Sequence, residues 1–402
     1  MTGLIRTAYA SHTQPEAAIR LCQAQLGMEA PDLILAFVGG RHMPASVRAA
    51  LQASFGNVPL TGGSAAGAIS TTGFGYSGFE IGLTAFKGAD VTPSVLAGDG
   101  LATSEAEAGR ALGQKAREHT ADGAAVVLLF DSVASSTPLR LHSASRIMEG
   151  FQAGLNDRRL HVIGGGLLTD INLSDGWLFC EGEVRKHAMV ALVFPPGLRA
   201  STTILHGCRP VSTFMEITRI EGAEVLELNH EPALTVVERM LGLALGTASG
   251  QQLSLVATLG QKQGDPFAPY DETQYVNRLI LHANPRRGSI TLSEPDFAVG
   301  TRVQIMSRDN ALVLESAQRG VARLKQEIGA APCALALYID CAGRASIMSG
   351  ADSEEAEIVL RTLAPDFPFM GFYSGVEIAP FAGHDSRPFD WTGVLTILQY
   401  AA

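Results

Sequence analysis

Asp340-Cys-Ala-Gly-Arg344 follows the apolar run Cys333–Ile339, and the end of a strand is where ligand-contacting loops commonly sit. A planar guanidinium such as Arg344 can hold a carboxylate through two parallel N–H donors. Cys341 becomes a nucleophile where its surroundings lower the thiol pKa. The competing reading is a tight turn with Cys341 buried and Arg344 paired to Asp340. Glu377 lies in the otherwise apolar Gly371-Phe-Tyr-Ser-Gly-Val-Glu-Ile378 and needs a partner if it is buried; Arg344 is one candidate. Arg41 with His42, Asp131 and Asp170 stand at comparable places after other apolar runs. With Gly165, Gly343 and Tyr373 they complete the expected ligand-binding set.

Other motifs fail on context. Gly73-Phe-Gly-Tyr-Ser-Gly78 has the letters of a dinucleotide fingerprint, but it leads into an apolar strand where that fingerprint must open a helix. The serine of Gly62-Gly-Ser-Ala-Ala-Gly67 has one residue too many for a nucleophile elbow. His230-Glu-Pro-Ala-Leu lacks a second metal-binding histidine and carries a proline where a helix is required. No phosphate loop ending in Gly-Lys-Ser/Thr occurs.

The elements that must position these residues recur. Helix, apolar strand, helix, Gly-marked strand and closing strand read in order as 15–26, 33–40, 44–55, 58–64 and 79–86. They recur as 105–119, 125–131, 141–155, 160–166 and 188–194, and again as 316–328, 333–339, 354–363, 369–374 and 391–398. The expected fold is α/β (α+β), with repeated modules forming two domains of mixed sheets covered by helices. Between the second and third copies, Val225–Pro232, a helix over 236–245 and a strand over 253–259 suggest a fourth, degenerate module. The division is placed at 1–222 and 223–402.

The chain has 402 residues, 46% hydrophobic and 17% charged, with a net charge of −10. That balance argues against nucleic acid, whose binding requires clustered Lys and Arg. No apolar stretch approaches the ~18 residues of a membrane span, and the N-terminus lacks a signal-peptide core. Five cysteines with no Cys-x-x-Cys pair suit a reducing cytoplasm.

Val162-Ile-Gly-Gly-Gly166, Asp170 and Trp177-Leu-Phe-Cys-Glu-Gly182 resemble the core of the FIST N-terminal domain, and Met215-Glu-Ile-Thr218 and Val225–Ala233 resemble the stretch after that core in the family. Asn277-Arg-Leu-Ile, Gly300-Thr-Arg-Val, Cys341–Arg344 and Gly371–Ile378 resemble the FIST C-terminal domain. The resemblance covers nearly the whole chain. It departs at Gly63, where the family often has Cys, at Ala68, where it often has an acid, and at Phe389-Asp390, in place of a His-Asn pair. The eukaryotic relatives' F-box is absent.

The resemblance implies a cytoplasmic sensory protein of bacterial signalling that binds a small ligand. One branch of the family consists of haem-binding nitric-oxide sensors that regulate histidine kinases, and the other implied ligands are amino acids or small carboxylates. A noncovalent haem would use His206, in Ile204-Leu-His-Gly-Cys-Arg-Pro210, or else His282; an ordinary hydrogen-bonded histidine is the alternative at both. An enzyme using Cys341 or Asp340 with Arg344, and a purely structural interaction module, remain rival classes. The Gly-rich segments could serve a homodimer.

Overall fold

Leu33–Gly39, Ala125–Asp131 and Cys333–Cys341 are buried along nearly their whole lengths. Each therefore reads as an unbroken apolar run and not as an alternation, because both faces of the strand are covered. The computed structural model describes residues 3–137, 139–245, 257–381 and 385–401.

The first repeat comprises β1 (Leu4–Ser11), α1 (Pro15–Leu26), β2 (Leu33–Gly39), α2 (Pro44–Phe55), β3 (Leu60–Ala65), the hairpin β4 (Ala68–Ser70) and β5 (Gly73–Gly75), and β6 (Glu80–Lys87). The second has the same order: β7 (Ser94–Gly98), α3 (Glu105–His119), β8 (Ala125–Asp131), a small hairpin β9 (Val133–Ser136) and β10 (Leu139–Leu141), α4 (Ala144–Leu155), β11 (His161–Leu167), the hairpin β12 (Leu178–Cys180) and β13 (Glu183–Arg185), and β14 (Met189–Val193). The third begins at β15 (Leu198–Leu205) and is then interrupted. The interruption contains β16 (Cys208–Pro210), β17 (Met215–Glu221), β18 (Glu224–Leu228), β19 (Glu231–Pro232), α5 (Ala233–Leu241), β20 (Ala257–Lys262), β21 (Tyr275–Asn284), β22 (Ser289–Leu292) and β23 (Arg302–Arg308). The third repeat resumes with α6 (Asn310–Ile328), β24 (Cys333–Cys341), the short α7 (Ser346–Ser349), α8 (Glu355–Leu363), β25 (Phe369–Ser374), the hairpin β26 (Glu377–Ala379) and β27 (Arg387–Phe389), and β28 (Gly393–Tyr400).

The three repeat sheets run β1-β6-β2-β3-β12-β13, β7-β14-β8-β11-β26-β27 and β15-β28-β24-β25-β4-β5. Each thus ends in a hairpin contributed by another repeat: the second lends to the first, the third to the second and the first to the third. The pairs β2/β3, β8/β11 and β24/β25 are parallel and their neighbours antiparallel. Leu35, Leu129 and Leu337 belong to one shared core, together with Leu33, Phe37, Val127, Leu335 and Ile339. The alternate residues, such as Ala36, Leu128 and Ala336, pack into three separate cores beneath the helices. Phe37 stacks on Phe372 across the shared core with ring centroids 4.2 Å apart.

The interrupting segment does not form a fourth module. It folds as an antiparallel sheet, β16-β23-β17-β18-β22-β21-β20, around its own core. Its β17 is buried at Met215 and Ile217 and exposed at Glu216 and Glu221; a strand covered on one face cannot stand in a module's central position. Helix α5 begins after Pro232 and ends at Leu241, where Gly242 adopts φ 66°. The expected strand over 253–259 lies partly outside the described residues. Gly73–Gly75 forms a strand of a hairpin, as its position ahead of an apolar strand requires. No helix among the described residues is long and apolar enough to cross a membrane.

Candidate functional site

The exchanged hairpins bring three strand ends together. Ser64 N–H donates to Trp177 O, Gly166 N–H to Val376 O and Tyr373 N–H to Gly67 O, each at 3.0 Å. These are equivalent bonds in the three repeats, made by the next-to-last residues of β3, β11 and β25. Gly165 serves this closeness: a Cβ there would lie 2.8 Å from Val376 O, so a side chain would push the incoming hairpin away. Glu377, Ala68 and Leu178 occupy equivalent hairpin positions, opposite Gly165, Phe372 and Gly63 respectively. One of the three carries an acid.

That acid joins a buried network. Arg344, 3% exposed, lies in the turn after β24. Its Nε and Nη2 donate to the two oxygens of Glu355 at 2.8 and 2.7 Å, a two-point pairing across the start of α8. Its Nη1 donates to Trp391 O at 2.7 Å and to His206 O. Asp340 is 3.3 Å from Arg344 Nε, and its two oxygens accept no hydrogen bond. Arg344 thus pairs with Glu355 and, more distantly, with Asp340; Glu377 is held elsewhere. Burial works to lower the guanidinium's pKa, but the Glu355 carboxylate more than offsets it.

One guanidinium cannot neutralise several buried carboxyls. Burial, then the neighbouring Glu355, pushes Asp340 well above the usual carboxylate range, and burial does the same to Glu377. Hydrogen-bond logic agrees for Glu377. Ser374 Oγ lies 3.1 Å from Asp340 O and 2.6 Å from Glu377 Oε1. The hydroxyl has one proton, and the carbonyl can only accept it. A proton on the Glu377 carboxyl lets both contacts be hydrogen bonds at once, with Glu377 donating to Ser374 Oγ and Ser374 Oγ to Asp340 O; without it the hydroxyl donates to Glu377 Oε1 alone. In the same way Thr392 Oγ1 donates to Asp390 O at 3.0 Å and accepts from His206 Nδ1 at 3.2 Å. His206 Nε2 is then a buried acceptor with no partner.

Above this network is a cavity of about 60 Å³, lined by Cys341, Gly343, Ser374, Asp390 and Trp391 of the third repeat, Leu141, Ile171 and Leu173 of the second, and Leu279, Leu281 and Ser293 of the inserted sheet. Asp390 accepts from Ser293 Oγ at 2.5 Å and lies 3.6 Å from Arg278 Nη1, both in the inserted sheet. Arg278 is fully buried and binds Asp296 through Nε and Nη2 at 2.7 and 2.5 Å. A second acid ties the inserted sheet to the repeats: Glu294 accepts from Ala144 N and Ser145 N, at 2.9 and 3.0 Å, at the start of α4. Burial pushes the Cys341 thiol well above its ordinary range, which disfavours the reactive thiolate.

The remaining expected residues are engaged locally. Arg41 lies over the Phe79 ring, 5.1 Å from its centroid, and His42 Nε2 is 3.1 Å from Phe79 O. Asp131 accepts from Val133 N and His187 N at 3.0 and 2.8 Å. Asp170 accepts from Asn172 N and Ser174 N, closing its own turn. Tyr373 donates to Glu354 at 2.8 Å. The structure thus gathers Cys341 and Gly343 at the cavity, sets Asp340, Arg344, Tyr373 and Glu377 in or beside the buried network, and leaves Arg41, His42, Asp131 and Asp170 at separate turns.

His206 does not fit a haem. It is 1% exposed, its ring lies 5.9 Å from that of Phe389, and it lines neither the 60 Å³ cavity nor the clefts of about 400–570 Å³ elsewhere on the described surface. His282 is exposed on β21. Among the described residues no group of three or more His, Cys, Asp or Glu is arranged for a metal. Burial, then the Arg344 charge, lowers the His206 pKa to about 3. The unfolded chain's histidine takes up a proton below its ordinary pKa of ~6.5 while native His206 does not, so stability present above that value falls on acidification. Urea unfolding at pH 7 and 5 should show about 2 kcal/mol less acid loss in His206→Gln than in the native chain; equal losses would contradict the neutral, buried ring.

Sequence reasoning missed Glu355, Glu354, Ser374 and Thr392 as site residues, and met Asp390 only as a departure from the family pattern. Two acids opening a helix read as ordinary exposed partners of its N-terminus, yet Glu355 is 1% exposed. The Glu105–His142–His187 chain was missed too: His142 reaches Glu105 at 3.2 Å and His187 at 3.0 Å, joining residues far apart in sequence. At the three places departing from the family pattern, a Cβ on Gly63 would lie 2.2 Å from Trp177 O, Ala68 pairs with Phe372 in a sheet, and Phe389-Asp390 supplies the aromatic wall beside His206 and the acid at the cavity.

Residues 32–231 match the FIST N domain and residues 233–380 the FIST C domain. Two uncharacterised mycobacterial proteins are similar: Rv0628c of Mycobacterium tuberculosis, 28% identical over 56% of this chain and 57% of its own length, and Mb0898c of Mycobacterium bovis, 27% identical over the same shares. The chain therefore spans little more than half the length of these curated relatives. A cyanuric acid hydrolase from A. caulinodans aligns over 100% of both chains at 8% identity and a TM-score of 0.35, and a chorismatase over 99% of both at 10% and 0.33; likeness that slight bears on no activity. The chain belongs to the FIST family, whose domains are sensory domains that bind small ligands in signal transduction.

Proposed function

We propose that the protein senses a small amine-bearing ligand, an amino acid among them, in the cavity where the inserted sheet meets the second and third repeats. The observation that carries this reading is Asp390: a buried acid lining the cavity from the third repeat and bonded to Ser293 of the inserted sheet. Ser374 and Ser293 add hydroxyls to the same wall, while Arg344 is committed to Glu355 and backbone carbonyls and lines no part of it. The recognition groups therefore suit an ammonium or hydroxyl better than a carboxylate. At about 60 Å³ the cavity holds a handful of water molecules, so an amino acid must part the inserted sheet from the repeats on entering. A ligand that prefers the parted state shifts the population toward it, and that shift is the signal.

The enzyme reading finds no support in the site, because the Cys341 thiol is held protonated and Asp340 has no free cation beside it. The family resemblance makes a histidine kinase the partner we propose. Five free cysteines, four of them buried, suit a cytoplasmic location. Trp391 lines the cavity, and the other tryptophan, Trp177, lies in the core of the first repeat. In Trp177→Phe, titration with an amino-acid and amine panel should change Trp391 emission saturably for at least one compound; unchanged emission across the panel would contradict the assignment.

A further inference from the structure

The first repeat holds a second cleft at the opposite end of its strands, where β2 and β3 begin. It has a volume of about 400 Å³, within the usual range for small-molecule sites. Leu51 and Phe55 of α2, Val58, Leu60 and the edge residue Val95 form apolar walls. Phe55, Val58 and Leu60 are half-buried, and Val95 is 37% exposed, so the lining keeps apolar surface in contact with water that an apolar ligand would cover.

The mouth has one cation. Arg48, exposed on α2, donates through Nη1 to Gly182 O at 2.7 Å, at the tip of the β12–β13 hairpin. Among the described residues no carboxylate lies within ion-pair distance of it. Glu181, the acid on the same rim, pairs with Arg185 at 3.0 Å. The guanidinium therefore keeps donors facing water above an apolar cleft, an arrangement complementary to a chain or ring ending in an anion.

We propose that this cleft binds an amphiphilic carboxylate, apolar body inward and carboxylate on Arg48. The hairpin at its mouth is the one that the second repeat lends to the first, so the ligand would sit across the joint between repeats. It is a second input, separate from the amine site and independent of it.

Isothermal titration of the full chain with octanoate and with 1-octanol tests this. Octanoate should bind saturably at one site and more tightly than octanol. Arg48→Met, which keeps the aliphatic stem, should weaken octanoate about tenfold, the worth of one charge-assisted hydrogen bond, and leave octanol unchanged. Val95→Glu places an acid in the wall at a part-exposed position and should abolish octanoate binding. No saturable binding, equal affinity for acid and alcohol, or octanoate binding undiminished in either variant would overturn the proposal.

Discussion

Arg344→Met should lower the unfolding free energy by roughly 3–5 kcal/mol, the cost typical of removing one partner from a buried ion pair. The loss comes from what remains. Glu355, 1% exposed, would keep two carboxylate oxygens that now accept from Nε and Nη2, and the carbonyls of His206 and Trp391 would lose a common donor. Methionine restores the volume but none of the donors, so the deficit is electrostatic and not a packing void. Pairing Arg344→Met with Glu355→Gln should recover part of it, because an amide side chain carries no charge to bury. Chemical denaturation of the two single variants and the double variant measures this. A single-variant loss under 1 kcal/mol would show that the pair is not a buried ion pair.

Glu377→Gln should act in the opposite direction and stabilise the chain at neutral pH. The native carboxyl is held protonated by burial, whereas the unfolded one ionises above its ordinary pKa of ~4.3. A raised folded-state pKa contributes stability that is complete below the unfolded pKa and is lost as pH rises toward the folded one. Within that window the native chain loses roughly 1.4 kcal/mol per pH unit at this site. A glutamine amide can donate to Ser374 and accept from Thr392 N–H without that dependence. The gain of Glu377→Gln should therefore be negligible at pH 4 and grow toward pH 7. Stability profiles of the two chains that run parallel from pH 4 to 7 would contradict the protonated carboxyl.

The repeats were legible because their central strands are covered on both faces, which leaves a mark in sequence: 125–131 and 333–341 have almost no polar residue until Asp131 and Asp340. The hairpin exchange left none. Glu377 pairs beside Gly165 across more than two hundred residues, and nothing in a three-residue strand names a partner sheet. The inserted sheet was misread as a degenerate module because β18 followed by α5 imitates one strand and helix; only the pairing of β23 with β16, β17 and β20 shows a separate sheet.

The site was legible by position more than by role. A strand-end loop with Arg344 pointed to the right turn, but whether a guanidinium faces a ligand or Glu355 depends on where α8 begins in space. The same holds for His206, whose apolar flanks fit either a cofactor pocket or a ring packed against Phe389. Asp390 stood out only as part of a departure from the family pattern, since its meaning comes from Ser293 and Arg278 of the inserted segment.

The most direct test of sensing at this junction is a thermal-shift comparison of the native chain with Asp390→Asn over a panel of amino acids and small amines. A ligand that binds only the folded chain must raise its melting temperature, by RT ln(1 + [L]/Kd) in free energy. At least one amine-bearing compound should stabilise the native chain while leaving Asp390→Asn, which retains an acceptor for Ser293, unmoved. A flat response of the native chain to the whole panel, or equal shifts in the two proteins, would contradict the account.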